Sequence, residues 1–255
     1  MIELARKFRE KISAGKPVAG PFAKTCDPAF VEVAGHAGFD FIILDAEHGP
    51  HNPYTMQNLI RAAEVSGITP IVRVDKIDET ISRMLDVGAA GIEVPQVTCK
   101  EEAEAAIALA KFYPQGERGV CRYVRAANYS SMDKADYFKE ANDIVVILQL
   151  EGQKAIDNLD EILSVKGYDI IFIGPYDLSQ SLGVTGQVTH PKVEEKMRQI
   201  VAACKERGVA VGTFSDSTEN ARKWRDAGVQ YLSYSVDVGI FYEACLQKRK
   251  EILEG

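Results

Sequence analysis

The sequence predicts a (β/α)8 barrel of the TIM type, and three observations carry that prediction. Short apolar or β-branched segments alternate with amphipathic segments along most of the 255 residues, which is the pattern of strand–helix units around a parallel sheet. Eight segments read as strands, and most are continuous apolar runs, as expected for parallel strands buried on both faces. No low-complexity segment, linker or charge block divides the chain, so we predict one domain over residues 1–255.

The candidate elements follow one another in regular order. The strands are predicted over residues 17–23, 39–45, 69–74, 90–95, 143–151, 168–174, 209–214 and 229–235. Before them, "MIELARKFREKISAGK" alternates charged and apolar residues at helical spacing and predicts an N-terminal helix. Helical spacing recurs over 56–67, 79–88, 100–112, 192–208 and 220–228, and four of these segments end at a glycine, which favours a helix C-terminus. An open doubly wound sheet is the alternative, but no G-x-G-x-x-G motif follows a strand.

Composition argues against several classes of function. The formal net charge of −7 argues against a nucleic-acid partner, which normally meets a basic face. No segment approaches a membrane span, and the first residues lack the uninterrupted apolar core of a secretory signal. Five scattered cysteines without a C-x-x-C pair are typical of reduced thiols in the cytoplasm rather than of a disulfide framework or a cysteine zinc site.

Polar side chains concentrate at the predicted C-terminal ends of the strands, where the active site of such a barrel lies. They are Asp45, Glu47, His48 and His51 after strand two, Arg73 in strand three, Gln149 and Glu151 ending strand five, and Asp177 after strand six. Carboxylates suit a hard divalent cation, an arginine suits a carboxylate or developing oxyanion, and a histidine suits proton transfer near neutral pH. Each residue alone fits an ion pair, a helix cap or a loop equally well, but their joint occurrence at one rim favours a catalytic site.

Two further possibilities concern the chemistry of this rim. Asp45, His48 and His51 have the D-x-x-H-x-x-H spacing of a compact zinc or iron site, which would leave Glu151 and Asp177 without a role. A Schiff-base lyase is disfavoured, because it needs a lysine at the rim and Lys24 after strand one is the sole candidate in the sequence.

Seven motifs then point to a family. They are "LDAEHGP" (44–50), "IVRV" (71–74), "LDVGAAGIEVPQV" (85–97), "GERG" (116–119), "LQLEG" (148–152), "FIGPYDLSQSLG" (172–183) and "GQVTHP" (186–191). Together and in this order they resemble the HpcH/HpaI aldolase family, the class II pyruvate aldolases. The resemblance implies a (β/α)8 barrel, a divalent metal cation, and reversible cleavage of 2-oxo-4-hydroxy acids to pyruvate plus an aldehyde.

The resemblance also implies roles for individual residues. It makes Glu151 and Asp177 the metal ligands, with Mg²⁺, Mn²⁺ or Co²⁺ compatible. It makes Arg73 the contact to the pyruvate carbonyl or enolate oxygen. His48 is implied as the acid–base catalyst, working through a metal-bound water, and Asp45 is the acid of the same motif.

Four more assignments complete the implied substrate site. Gln149 is implied near the metal and pyruvate, and the "GPYD" turn, from Gly174 through the amides of Tyr176 and Asp177, is implied to bind the substrate carboxylate. Glu47 is expected only to shape the loop.

Asp86 carries an expectation about assembly. The resemblance pairs it with His48 across a subunit boundary, in a hexamer built as a trimer of dimers. Asp86 ends a predicted helix after strand three, so it is expected at the end of the barrel away from its own His48.

The aldehyde and the runner-up functions stay open. The loop "GVCRYVRAANYSSM" (119–132) is either a solvated basic loop or a specificity loop for an aldehyde that bears an acid. A CoA-thioester lyase of the citrate lyase or malyl-CoA lyase type is the alternative enzyme. A barrel that binds a metal and a 2-oxo acid without turnover is the alternative from another class.

Overall fold

A computed structural model describes residues 2–254 and shows a closed barrel of eight parallel strands, in which each strand pairs with the next and the last pairs with the first. The strands are β1 (Val18–Ala23), β2 (Phe41–Asp45), β3 (Thr69–Arg73), β4 (Gly91–Val94), β5 (Val145–Leu150), β6 (Ile170–Ile173), β7 (Ala210–Ser215) and β8 (Tyr231–Val236). The predicted (β/α)8 barrel is confirmed. The open-sheet alternative is wrong, because β1 and β8 are hydrogen-bonded to each other.

Helices surround the barrel and connect its strands. The predicted N-terminal helix is present as α1 (Ile2–Ser13). The others are α2 (Pro28–His36), α3 (Pro53–Ser66), α4 (Thr80–Asp86), α5 (Lys100–Ala110), α6 (Lys134–Glu140), α7 (Gln153–Asp157), α8 (Leu159–Ser164), α9 (Pro175–Ser181), α10 (Pro191–Glu206), α11 (Thr218–Asp226) and α12 (Asp237–Glu254). Within residues 2–254 we find no helix with the length and apolar character that a membrane crossing requires.

Side chains on each strand alternate between the barrel interior and the layer beneath the helices. On β2, Phe41 and Ile43 belong to the interior cluster, whereas Ile42 and Leu44 pack in the outer cluster. Asp45 has the inward parity of Phe41 and Ile43. Both faces of the strand are therefore buried, which explains the continuous apolar runs in the sequence.

Helix α1 closes the end of the barrel where the strands begin. Its Phe8 ring packs edge-on against Phe41, with ring centroids 5.9 Å apart, and against Tyr231 at 6.0 Å. Phe41 and Tyr231 are the first residues of β2 and β8 and stack at 4.0 Å. Because aromatic rings fill this end, the opposite end of the barrel is the one open to a ligand.

The glycines predicted to end helices adopt the left-handed conformation. Gly67, which follows α3, has φ 74°, and Gly88, Gly208 and Gly228 also have positive φ. The observed strands agree with the predicted ranges to within two residues at each end. Helix α12 differs from the other long helices, because Asp237 is its only buried residue within the described part of the chain.

Candidate active site

A cavity of about 340 Å³ lies at the C-terminal ends of the strands, where the sequence predicted the site. Six of the predicted site residues line it: His48, Arg73, Gln149, Gly174, Tyr176 and Asp177. Asp45 and Glu151 lie directly behind this lining, since they are hydrogen-bonded to Arg73 and Gln149. The structure therefore brings together all the predicted site residues except Asp86.

Arg73 is held at the end of β3 by two acidic side chains. Its Nε donates to Oδ1 of Asp45 at 2.9 Å, and its Nη2 donates to Oδ2 at 2.8 Å, which forms a bidentate pair. Its Nη1 lies 3.2 Å from Oε2 of Glu47, and the guanidinium lies 4.6 Å from the ring centroid of Phe22. Asp45 and Arg73 are partners in the β2–β3 register, so strand pairing itself brings these two side chains together.

The Asp45–Arg73 pair is buried and stays charged. Burial raises the pKa of Asp45, but the hydrogen bonds and charge of Arg73 outweigh this effect, so the pKa is lowered from its ordinary value. Burial lowers the pKa of Arg73, but the surrounding carboxylates have the larger effect, with Asp45 contributing most. The pKa of Arg73 is therefore raised above its ordinary value. Nζ of Lys24 lies 3.6 Å from Oδ2 of Asp45. The guanidinium of Arg73 therefore lines the cavity as a permanently cationic group with a fixed orientation.

Asp45 also fixes the loop that carries His48. Its Oδ1 accepts hydrogen bonds from the backbone amides of Glu47 at 3.1 Å and His48 at 3.2 Å. The imidazole of His48 is 60% exposed, and its Nε2 lies 3.9 Å from Oε2 of Glu47. Glu47 does more than shape the loop, because its carboxylate contacts Arg73 and also accepts from Nε2 of Gln96 at 3.2 Å.

Glu151 and Asp177 form the acidic part of the site. Glu151 is 7% exposed. Its Oε1 accepts from the backbone amide of Gln96 at 2.8 Å, and its Oε2 accepts from the side-chain amide of Gln149. Burial raises the pKa of Glu151 to about 7, the negative charge of Asp177 adds to the rise, and the Gln149 hydrogen bond opposes it. The two carboxylates supply the hard oxygen donors that a divalent cation prefers.

Gly174 makes room for this carboxylate at the junction of β6 and α9. A Cβ added to Gly174 would lie 2.5 Å from Oε2 of Glu151 and 3.1 Å from Nε2 of Gln149. Helix α9 begins at Pro175, so the amides of Tyr176 and Asp177 lie in its first turn, where an amide has no acceptor within the helix.

Asp86 lies apart from the other predicted site residues. It is the last residue of α4, and its Oδ1 accepts from Nη2 of Arg118 at 2.6 Å. The Arg118 side chain is 1% exposed and lies over the ring of Phe112. Within one chain Asp86 contacts Arg118 and not His48, which agrees with the expectation from its position at the end of a helix. The pairing of Asp86 with His48 across a subunit boundary stays a prediction.

The alternative zinc or iron site is wrong. Residues 2–254 contain no group of three or more His, Cys, Asp or Glu side chains arranged to hold a metal ion. Asp45 is engaged by Arg73, and Nδ1 of His51 faces Sγ of Cys26 at 3.6 Å. A site built on Glu151 and Asp177 needs only two protein ligands and is a different kind of site.

The basic loop does not reach the cavity of its own chain. Arg125 forms an ion pair with Glu64 and donates to the carbonyl of Val87 at 3.3 Å. Arg122 donates to the carbonyl of Ser130 at 3.0 Å. Within one chain these arginines stabilise the loop and its neighbours instead of meeting an aldehyde.

Glu93 is a buried acid that the sequence analysis did not single out. It lies on β4 in register with Arg73 and is fully buried, and its oxygens interact with the buried Tyr231 hydroxyl without making a hydrogen bond of ordinary geometry within the described residues. Burial raises its pKa to about 8, although the charge of Arg73 opposes the rise, so its carboxyl group is mostly protonated at neutral pH. A signal was present in the sequence, because one acid interrupts the apolar segment "AGIEVP".

Comparison with known proteins supports the same assignment. The family model described as HpcH/HpaI aldolase/citrate lyase matches residues 19–244. A 5-keto-4-deoxy-D-glucarate aldolase of Shigella boydii is 34% identical over 240 residues, which is 93% of each chain. The crystal structure of an HpcH/HpaI aldolase from Desulfitobacterium hafniense superposes with a TM-score of 0.90 at 33% identity over 96% of each chain. An HpcH/HpaI aldolase/citrate lyase family protein from Burkholderia cenocepacia superposes with a TM-score of 0.91 at 32% identity over 99% of each chain.

These matches confirm the resemblance that the seven motifs carried, and they span nearly the whole barrel. The alternative of a binding protein without turnover does not agree with relatives that are aldolases. The chain belongs to the HpcH/HpaI aldolase/citrate lyase family and is a carbon–carbon lyase of the class II aldolase type.

Proposed function

We propose that the cavity at the C-terminal ends of the strands is the active site for reversible cleavage of a 2-oxo-4-hydroxy acid to pyruvate and an aldehyde, and that the residues lining it carry out this reaction. The observation that carries this proposal is that Arg73, clamped by Asp45, shares one cavity with Asp177 and with the side-chain amide that binds Glu151. Cleavage of the C3–C4 bond leaves an electron pair on C3, which is held as an enolate. Positive charge is therefore needed beside the 2-oxo oxygen.

Glu151 and Asp177 would hold a divalent cation, with Mg²⁺, Mn²⁺ and Co²⁺ as the candidates. Two features support this assignment. The charge of Asp177 contributes to the raised pKa of Glu151, and a bound cation would relieve that repulsion. The amides of Gln96 and Gln149 fix the Glu151 carboxylate. Bound there, the cation would supply Lewis acidity at the 2-oxo group.

The chain's own groups would bind and orient the rest of the substrate. The Nη atoms of Arg73 would donate to the enolate oxygen, with the guanidinium plane fixed by Asp45. Gln149 would lie beside the 2-oxo group. The backbone amides of Tyr176 and Asp177, in the first turn of α9 just after Gly174, would bind the substrate carboxylate.

His48 would handle the proton of the C4 hydroxyl. In cleavage it accepts that proton while the C3–C4 electrons move toward C2, and in condensation it returns the proton to the new alkoxide. Its exposed imidazole lines the cavity, and Asp45 holds its backbone amide. The partner that orients the imidazole would be Asp86 of a neighbouring subunit.

We also propose an oligomeric assembly, a cytoplasmic location and a single-domain organisation. An oligomer is supported by the exposure of α12 and by Asp86, which contacts Arg118 instead of His48 within its own chain. The hexamer built as a trimer of dimers is what the family resemblance implies. A cytoplasmic location is supported by five cysteines that are all free thiols. The organisation as one domain over 1–255 is supported by a barrel that uses strands from Val18 to Val236.

A CoA-thioester lyase is less well supported by the cavity. Its lining includes the basic residues Lys24 and Arg73, and both lie close to Asp45. Arg122 and Arg125 are engaged elsewhere. Within residues 2–254 the cavity therefore presents no free basic patch for the phosphates of CoA.

The test combines turnover with metal binding. Pyruvate release from a 2-oxo-4-hydroxy acid should stop in excess chelator and return with Mg²⁺, Mn²⁺ or Co²⁺. Replacing Glu151 by glutamine should weaken Mn²⁺ binding, measured from the electron paramagnetic resonance signal of free Mn²⁺. The matched control is Glu104→Gln on the exposed face of α5. Full activity in chelator, or equal Mn²⁺ affinity in both variants, would contradict the metal site.

A further inference from the structure

The mouth of the cavity carries a hydrogen-bonded pair that the proposed reaction does not use. Oη of Tyr176, in the first turn of α9, donates to Oδ2 of Asp216 at 2.6 Å. Asp216 directly follows β7, and both residues line the cavity. The Tyr176 ring also packs edge-on against Phe214, with centroids 6.0 Å apart. This pair therefore fixes a carboxylate at the rim of the site.

The Asp216 carboxylate keeps an open acceptor and an uncompensated charge. Across residues 2–254, its Oδ1 has no hydrogen-bond donor and its carboxylate forms no ion pair with a basic side chain. The two basic side chains that line the cavity, Lys24 and Arg73, both lie next to Asp45 instead. The hydroxyl proton of Tyr176 is donated to Asp216. The Tyr176 oxygen and Oδ1 of Asp216 are therefore left to accept hydrogen bonds from a ligand.

The order of groups along the cavity assigns this pair to the aldehyde half of the substrate. The proposed function puts the pyruvate carboxylate at the start of α9 and the 2-oxo oxygen near Arg73 and Glu151. The aldehyde half is then left with the part of the lining that these groups do not occupy, which includes Asp216, Phe214 and Val236. Phe214 and Val236 are apolar, so Asp216 and the Tyr176 hydroxyl supply the polar discrimination there.

We infer that Asp216, held in place by Tyr176, selects the aldehyde: it accepts a hydrogen bond from a hydroxyl group of a hydroxyaldehyde and disfavours an aldehyde that carries a carboxylate at that position. The inference rests on the proposed function and deepens it by naming the substrate class. A site built to hydrogen-bond a hydroxyl discriminates strongly against an analogue without one, because its polar group is then left unpaired. A second carboxylate next to Asp216 would meet like charge, and among the described residues Asp216 has no ion-pair partner that offsets its own charge.

The experiment uses matched aldehydes in condensation with pyruvate. Glycolaldehyde and propanal differ by a hydroxyl in place of a methyl group, and succinic semialdehyde carries a carboxylate. The two uncharged aldehydes differ in intrinsic reactivity, so the quantity to compare is the change in their kcat/KM ratio between wild type and variant. Asp216→Ala should reduce the preference for glycolaldehyde over propanal by about 10-fold, the scale of one hydrogen bond to a charged group.

Two further variants separate the acceptor from the charge. Asp216→Asn keeps an acceptor and removes the charge, so it should retain part of the hydroxyl preference and increase the relative use of succinic semialdehyde. Tyr176→Phe should lower the glycolaldehyde preference, because the carboxylate loses its anchor. The control is Asp226→Ala at the far end of α11, where an exposed aspartate is paired with Arg225, and its aldehyde ratios should match wild type.

Exchange of the pyruvate methyl protons with deuterium, which needs no aldehyde, keeps the two proposals apart. Metal-dependent exchange in wild type, together with an unchanged glycolaldehyde-to-propanal ratio in Asp216→Ala, overturns the role of Asp216 and leaves the proposed function standing. A ratio that falls equally in Asp226→Ala also overturns that role. Absence of both exchange and condensation in wild type with Mg²⁺, Mn²⁺ or Co²⁺ overturns the proposed function, and the inference falls with it.

Discussion

Arg73 depends on its neighbours for the orientation that the chemistry requires. Asp45 accepts from both Nε and Nη2 in a fork geometry, and Glu47 contacts Nη1. A lysine retains the charge but cannot make the two parallel hydrogen bonds to Asp45. Loss of one oxyanion donor lowers kcat by roughly 10²–10³-fold, and we expect Arg73→Lys to show most of this decrease. Steady-state aldol cleavage measures this loss.

The same variant separates orientation from folding. Because Asp45 is fully buried, a variant without any cation at position 73 would leave it with Lys24, 3.6 Å away, as its one remaining basic partner among the described residues and would lose stability. Lysine avoids this, so thermal melting of Arg73→Lys should stay close to wild type while the exchange of pyruvate methyl protons slows. Wild-type rates of both cleavage and exchange in Arg73→Lys would remove the support for an enolate contact.

Glu93 makes the stability of the fold depend on pH. Its pKa is raised from 4.5 to about 8 in the folded chain, so the folded state holds a proton that the unfolded state releases. Stability from this group is complete below about pH 4.5 and is lost as the pH rises to about 8. Glu93→Gln removes the titration, so the variant should gain in free energy of unfolding relative to wild type between pH 5.5 and pH 8.5.

Urea denaturation in chelator at these two pH values measures the difference. Glu104→Gln, at an exposed acid of α5, is the matched control and should show the wild-type dependence on pH. Parallel stability curves for wild type and Glu93→Gln would show that Glu93 is ionised in the folded chain as it is in the unfolded one.

At this scale the sequence predicted residues at strand ends better than residues inside the barrel. Asp45 and Arg73 were predictable because apolar strands end in them. Glu93 was read as part of an apolar strand, since inward parity becomes visible only when β4 is placed in register with Arg73. Glu47 was assigned to loop shape, and its contacts to Arg73 and Gln96 depend on the path of two loops.

The junction of β6 and α9 depends on Gly174 for space, not for backbone conformation. Gly174 has φ −84°, which any residue adopts, but a Cβ there would lie 2.5 Å from Oε2 of Glu151. Gly174→Ala should therefore displace the Glu151 carboxylate while the barrel still folds. We expect Mn²⁺ affinity to fall about 10-fold or more, the scale on which disturbance of a ligand's support acts.

Gly152 provides a control one residue away from Glu151. It also has an ordinary φ, −147°, and a Cβ there would meet nothing within 4 Å. Gly152→Ala should therefore leave Mn²⁺ affinity and circular dichroism unchanged. If both alanine variants bound Mn²⁺ equally well, the space at Gly174 would not matter to the metal site.

Among the elements, those with several turns or a buried strand were the predictable ones. Helices α3, α5 and α10 have at least three turns, so their apolar period was visible in the sequence. Helices α7 and α8 have five and six residues, which is less than two turns and too short for a period to appear. Both follow the strand that delivers Glu151, so the sequence located the site without the helices beside it.

At the scale of the whole molecule, α12 leaves much of its apolar surface exposed. Phe241 is 59% exposed, and its ring meets Phe30 with centroids 5.9 Å apart. Ile252 and Leu253 are also exposed. An 18-residue helix that buries only Asp237 contributes little to the stability of one barrel, and exposed apolar surface of this kind is typical of an interface. Packing within one chain could not reveal the assembly, and the prediction of a hexamer comes from the family resemblance.

The last prediction tests whether subunits share the active site. Asp86 ends α4 and is paired with Arg118 of its own chain, whereas His48 lies at the opposite rim, where it lines the cavity. If a neighbour's Asp86 orients His48, inactive His48→Ala and Asp86→Asn proteins should complement each other after subunit exchange. Random mixing in equal amounts gives about a quarter of the sites an intact His48 and an intact Asp86, and about that fraction of wild-type activity. Because the amide side chain in Asp86→Asn would still present a polar group to Arg118, thermal melting should show that this variant is folded. Mixed assemblies that stay inactive, or an Asp86→Asn protein that is fully active alone, would show that each barrel completes its own site, and the ion pair with Arg118 would then be the whole role of Asp86.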